Sequence, residues 1–242
     1  MGRTVCEAVT GDPELELVGA VDPGRPGDEV CGITVVADGA ELVGQQADVM
    51  VDFTHVAAAR ENLAWAARAG VHAVVGTSGL GEDDLTRLRE AFTASNCIVV
   101  PNFAIGAVLM MRFAELAAPW FETAEIIELH HDRKLDAPSG TAMRTVERMA
   151  AASESWADDP TRTETLPHAR GATGPADIHV HSVRLRGLVA HQEVLLGTEG
   201  ETLTIRHDSY DRSSFMPGVV LAVKRIGDLP GVTVGLDPLL GI

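Results

Sequence analysis

The chain has 242 residues, 45% hydrophobic and 22% charged, enough to bury the core of one or two soluble domains. Its formal net charge of −16 opposes nucleic acid and anionic membranes, and neither is expected as a partner. The same charge repels small anions at long range, so an anion site must be a local basic island.

Cys6, Cys31 and Cys97 are widely spaced, with no C-x-x-C, which argues against a disulfide framework or structural zinc. No secretory pattern opens the chain, and no apolar run of about 20 residues could span a bilayer. A cytoplasmic protein is expected.

In chain order, Met1-Gly2-Arg3-Thr4 runs straight into a helical pattern. Strands are predicted at 15–21, 49–53, 71–75 and 97–100, with helices at 56–69 and 82–92, where Leu85, Leu88 and Phe92 recur at helical spacing. Short strands parted by helices read as βαβ units with a parallel sheet. The pattern then changes. A long helix is predicted at 104–121, with Met110 and Met111 in its core stripe, and a strand at 125–129. A helix at 139–152 has Ser139 as its N-cap, and the Pro-, Gly- and Thr-rich stretch 153–177 reads as a mobile loop. Strands at 178–184, 191–196 and 201–207, parted by turns such as Gly197-Thr198-Glu199-Gly200, are expected to be largely antiparallel. A helix at 213–226 accommodates Pro217 in its first turn. The expected fold class is α/β, a nucleotide-type half followed by an α+β half with an open sheet.

The densest chemistry lies at 125–142, E-I-I-E-L-H-H-D-R-K-L-D-A-P-S-G-T-A. His130, His131, Arg133 and Lys134 crowd the end of a strand, and the next helix opens with Ser139-Gly140-Thr141. Amides at a helix start, with glycine allowing close approach, cradle a carboxylate or phosphate. A lysine and two histidines beside that cradle could bind a small anion and donate a proton near neutrality. Three plainer readings stand beside this one. The run could be a solvated loop of mixed charge. The His-His pair could bind a metal, although adjacent strand residues point to opposite faces. Ser139 could be a nucleophile, although no G-x-S-x-G surrounds it. His179 and His181 share a strand face and could meet His191 or His207, which reads as cross-strand packing.

Gly76-Thr77-Ser78-Gly79 and Pro101-Asn102-Phe103 each follow an apolar strand, where parallel α/β sheets bind ligands. Asp22 ends the strand at 15–21, placed to take the ribose hydroxyls of an adenine nucleotide. In register along one βαβ series, the three point to a dinucleotide site.

The segment 125–142 resembles the signature of dihydrodipicolinate reductases. The likeness extends to Val51-Asp-Phe-Thr54, Val75-Gly-Thr-Ser-Gly79, Pro101-Asn-Phe-Ala-Ile-Gly106, Arg186-Gly-Leu-Val-Ala-His191 and Gly200-Glu-Thr-Leu-Thr-Ile-Arg-His207, and is greatest for actinobacterial members. The resemblance implies a Rossmann-like nucleotide domain over 1–103 and 214–242, and a substrate-binding domain with an open mixed sheet over 104–213. It implies tetramers formed through those sheets. It also implies reduction of 4-hydroxy-tetrahydrodipicolinate with NADPH or NADH, in lysine and diaminopimelate synthesis, without a metal. By motif, His130 would be the general acid, Lys134 would assist protonation or hold a carboxylate, and His131, Gly140 and Thr141 would bind substrate. Met1, Gly76, Thr77, Ser78, Val100, Pro101, Asn102 and Phe103 would line the cofactor, with Asp22 at the ribose and Arg25 close enough to meet a 2′-phosphate.

The family opens with a strand and a loop of the form G-x-x-G-x-M-G-R, whereas Met1-Gly2-Arg3 matches only the tail of that loop. The first strand and two glycines are therefore expected to be missing, with a natural start roughly a dozen residues upstream. Two alternatives remain at this level: a silent dicarboxylate-binding subunit, or another nicotinamide enzyme on the same fold.

Overall fold

Where short apolar runs alternate with amphipathic stretches, the chain forms parallel strands joined by helices. The computed structural model describes residues 1–242, apart from the side chain of Val43. Two units are formed, one from 1–105 with 212–242 and the other from 106–211.

The first unit starts with α1 (Gly2–Gly11). A small sheet follows, in which β1 (Ala20–Val21) runs parallel to β3 (Ile33–Val36), and β3 runs antiparallel to β2 (Glu29–Val30). The strand predicted at 15–21 is thus cut to two residues, because β3 pairs only with Ala20 and Val21. The main sheet has four parallel strands in the order β12-β6-β5-β4. They are β4 (Val49–Asp52), β5 (His72–Val75), β6 (Cys97–Val99) and β12 (Val232–Val234). α2 (Val56–Ala69) and α3 (Glu82–Ala91) cross between successive strands. Leu63, Ala66, Leu85, Leu88 and Phe92 of this helical layer bury against Ala73, Val75, Cys97 and Val99. Side chains alternate along a strand, so Val74 and Ile98 point to the other face, where α6 (Met216–Arg225) meets β5. Pro217 sits in the first turn of α6, as its fixed φ allows. α7 (Asp237–Leu240) closes the unit. A parallel sheet with helices on both faces is the Rossmann-like arrangement expected.

The second unit takes up the chain within the first turn of α4 (Ile105–Ala117). This helix is shorter than the predicted 104–121, because Pro119 has no amide to donate and the chain tightens into a 3-10 turn at Ala118–Trp120. β7 (Thr123–His130) leads to α5 (Gly140–Ala152). β8 (Ala172–Thr173), β9 (His179–Arg184), β10 (Ala190–Thr198) and β11 (Glu201–Ser209) complete a mixed sheet in the order β11-β10-β7-β9-β8. β10 is antiparallel to β11, as expected, and to β7, while β9 runs parallel to β7, which makes the sheet mixed. The stretch predicted as a mobile loop is fastened to this sheet. Arg170 pairs with Glu125 of β7 at 2.6 Å, and Asp159 pairs with His179 of β9 at 3.0 Å.

Candidate active site

In the first unit, Asp52, Val75 and Val99 lie side by side at the carboxyl ends of β4, β5 and β6. The segments that follow therefore leave the sheet together: Phe53-Thr54, Gly76-Thr77-Ser78 and Val100-Pro101-Asn102-Phe103. Asp52 fastens two of them and is itself buried. Its Oδ1 accepts from the Thr54 amide (3.0 Å), the Thr54 hydroxyl (2.9 Å) and the Thr77 hydroxyl (2.6 Å), while Oδ2 accepts from Asn62 Nδ2 (2.7 Å). Glycine is needed at 76, where a Cβ would collide with the Phe53 ring. It is needed at 218 too, where α6 passes against the Phe103 carbonyl. Asn102 Oδ1 accepts from the Ala104 amide at 2.9 Å, closing the third turn.

Asp22 directly follows β1. It is exposed, and its Oδ1 accepts from the Gly24 amide at 2.9 Å. Arg25 donates its amide to the Asp22 carbonyl at 3.0 Å, which puts the two residues in one turn. Met1 is the N-cap residue of α1, whose first turn holds no acid and no side-chain cap.

In the second unit, β7 carries the basic island to its end. Glu128 and His130 are two apart and so share a face. Glu128 is fully buried, and its Oε2 lies 2.5 Å from His130 Nδ1. Arg184 of β9, the registered neighbour of His130, grips both Glu128 oxygens at 2.8 and 2.9 Å. The Ser139 amide reaches Oε1 at 3.2 Å. Burial alone would raise the Glu128 carboxyl, but hydrogen bonds from His130, Arg184 and Ser182 prevail and hold it at about 2. The carboxylate is therefore ionised at neutral pH, and Arg184 is held above its ordinary range by the same hydrogen bonds.

His131 lies just past the strand, and its Nδ1 accepts from the Arg133 amide at 3.2 Å. Lys134 Nζ meets both oxygens of Asp136 at 2.7 and 2.8 Å. That carboxylate is 66% exposed, so the pair contributes about 1 kcal/mol at most. Ser139 caps α5 as predicted: Oγ accepts from the Ala142 amide at 3.2 Å and its carbonyl from Met143 at 3.0 Å. Ahead of those amides, a Cβ built on Gly140 meets nothing within 4 Å among the described residues. A carboxylate can approach the helix start there.

Elsewhere in the sheet the histidines pair with carboxylates rather than with each other. His181 meets Glu125 at 2.6 Å, and His191 meets Asp208 at 2.7 Å. His207 packs near Gly106, and burial lowers it below the ordinary imidazole value. Among the described residues, no three His, Cys, Asp or Glu side chains are grouped to hold a metal ion.

Three residues of these networks escape a reading of the sequence. Glu128 is visible in principle, since it stands two positions before His130 in a strand. Arg184 and Asp52 could be found only from the pairing of β7 with β9 and of β4 with β5.

The family model described as "Dihydrodipicolinate reductase, N-terminus" matches residues 1–103, and that described as "Dihydrodipicolinate reductase, C-terminus" matches 106–240. The chain belongs to the dihydrodipicolinate reductase family. A 4-hydroxy-tetrahydrodipicolinate reductase of Nocardia farcinica is 51% identical over all of this chain and 95% of its own length. Its counterpart in Cutibacterium acnes is 49% identical, with the same coverage. Among solved structures, a dipicolinate-bound dihydrodipicolinate reductase from Paenisporosarcina sp. TG-14 superposes with a TM-score of 0.87 at 39% identity. That match covers 98% of this chain and 94% of the other.

Proposed function

We propose that this chain reduces 4-hydroxy-tetrahydrodipicolinate to tetrahydrodipicolinate with NADPH or NADH, in lysine and diaminopimelate synthesis. Beyond family membership, one observation carries the reading. An imidazole held by a buried carboxylate ends the strand that leads to a helix start open at Gly140. The product lacks the 4-hydroxyl, so water leaves and a hydride and a proton add across the conjugated imine. When bound, the dinucleotide supplies the hydride.

His130 is the general acid in this reading. It gives up its Nε2 proton as electron density develops on the substrate, and its ring ends the step neutral. Lys134 holds a carboxylate or assists that protonation, while His131 and the amides at Gly140 and Thr141 bind the dicarboxylate. The donors of the first unit suit a dinucleotide. Gly76, Thr77, Ser78, Val100, Pro101, Asn102 and Phe103 line it at neighbouring strand ends, where such ligands bind. Asp22 takes the ribose hydroxyls, with Arg25 beside it for a 2′-phosphate. Met1 opens α1, whose acid-free first turn favours phosphate.

The sheet face opposite α5 carries the partly exposed Ile127, Leu129, Val183 and Leu195, which supports assembly into a homotetramer through these sheets. A cytoplasmic location matches the use of a soluble nicotinamide.

The test follows NADPH and NADH oxidation with freshly generated substrate, on protein whose assembly mass is measured alongside. His130→Gln is expected to lower kcat about 100- to 10,000-fold. A folded native protein that turns over neither cofactor would sink the activity, and full activity in H130Q would remove the acid role.

A further inference from the structure

We infer that Glu128 is a positioning residue for the reaction: it fixes the ring plane and tautomer of His130 so that Nε2 is the nitrogen that delivers the proton. This rests on the reading of His130 as the acid. The geometry is specific. Glu128 is fully buried and sits 2.5 Å from His130 Nδ1, on the same face of β7. A carboxylate ionised at neutral pH can only accept, so Nδ1 carries a proton and Nε2 is left for exchange.

Arg184 makes the arrangement permissive rather than a trap. A lone buried carboxylate against an imidazolium would hold the ring's second proton too firmly. Here the guanidinium grips both carboxylate oxygens and offsets the charge, while a further N–H anchors it to the Asp136 carbonyl at 2.7 Å. The charged groups bearing on the ring are thus Glu128 from its own strand and Arg184 from β9. In the loop that follows, Lys134 and Asp136 are paired with each other. The Ser139 amide on Glu128 Oε1 ties the opening of α5 to the same carboxylate, so the acid and the anion cradle share one anchor.

A carboxylate that served only to hold the sheet would leave the proton chemistry alone. The test therefore compares pH profiles of kcat/KM for the native protein, Glu128→Gln, Glu128→Asp and His130→Gln. E128Q is expected to lower kcat about 10- to 1,000-fold, because a misplaced or wrong-tautomer imidazole forfeits most of what an acid contributes. Substrate KM should stay within about threefold, since glutamine keeps an oxygen for the Ser139 amide that anchors the start of α5. The alkaline limb of E128Q should move to lower pH, because the protonated ring loses its counter-charge while Arg184 remains. E128D keeps the charge and should hold that limb near its native position.

If H130Q is inactive while E128Q matches the native rate and profile, the inference falls and the acid assignment stands. If H130Q is fully active, the acid assignment falls first, whatever Glu128 does. Should E128Q fail to fold, 15N spectra of histidine in the native protein decide the matter. A proton on His130 Nδ1 through neutral pH supports the inference, and a neutral ring protonated on Nε2 alone overturns it.

Discussion

Asp52 and Glu128 are both buried acids near the carboxyl end of a strand, and both fasten the residues beyond it. Their partners differ. Asp52 is held by neutral donors, an amide and two hydroxyls on Oδ1 and Asn62 on Oδ2. Glu128 is held by a guanidinium on both oxygens and an imidazole, with the Ser182 side chain and one amide beside them. Neutral donors fix the shape of a loop and can be exchanged or turned around. Charged donors also fix protonation, and removing one strands the rest. The first arrangement suits loops that only cradle a ligand; the second suits a site that must move a proton.

The largest effect expected from this contrast is on stability. Arg184→Met leaves the buried Glu128 with an imidazole as its one cationic partner, and breaking a buried pair costs about 3–5 kcal/mol. Urea unfolding measures it, and a loss below about 1 kcal/mol would erase the distinction between the two acids.

A smaller effect lies in acid. The folded Glu128 carboxyl is held at about 2 against an ordinary value of 4.5. Its stabilisation is therefore complete above the unfolded value and lost as pH falls from about 4.5 towards 2. Stability followed across that window should fall less steeply in E128Q than in the native protein, and equal slopes would count against the network. The smallest effect belongs to Asp52→Asn. Asn62 can turn its amide to meet the new one, so the cost should stay near 1 kcal/mol, with cofactor affinity little changed. A collapse as large as that of R184M would show that the neutral network is no more forgiving than the charged one.

Local patterns were legible before any fold was known. The helical spacing at 56–69 matches α2 residue for residue, and Ser139 caps α5 because a cap is a relation between residues three apart. The short strands β2, β3 and β12 were not legible. Each contains a polar residue (Glu29, Thr34, Thr233), whereas Val49–Val51, Ala73–Val75 and Cys97–Val99 are unbroken apolar runs, and their partners lie elsewhere in the chain. The site divided in the same way. His130, Lys134 and Gly140 stand in one contiguous motif. Arg184 is 56 residues from Glu128 and meets it only because β9 runs parallel to β7. The parallel pairing follows from a long crossover through α5, which the expected mixed sheet allows but whose strand partners local sequence does not name.

If Lys134 holds a substrate carboxylate, as proposed, its contact with Asp136 bears on selectivity. An incoming carboxylate finds the ammonium already matched by an internal rival, tethered two residues away at an effective concentration on the order of millimolar. A ring with one carboxylate must displace that rival unaided. A ring with two would, on the proposed roles, engage the amides at the start of α5 first and compete for Lys134 as a tethered ligand in turn. On the proposed roles, this exposed self-contact, worth about 1 kcal/mol at most, would tilt the site modestly towards dicarboxylates over monoacids.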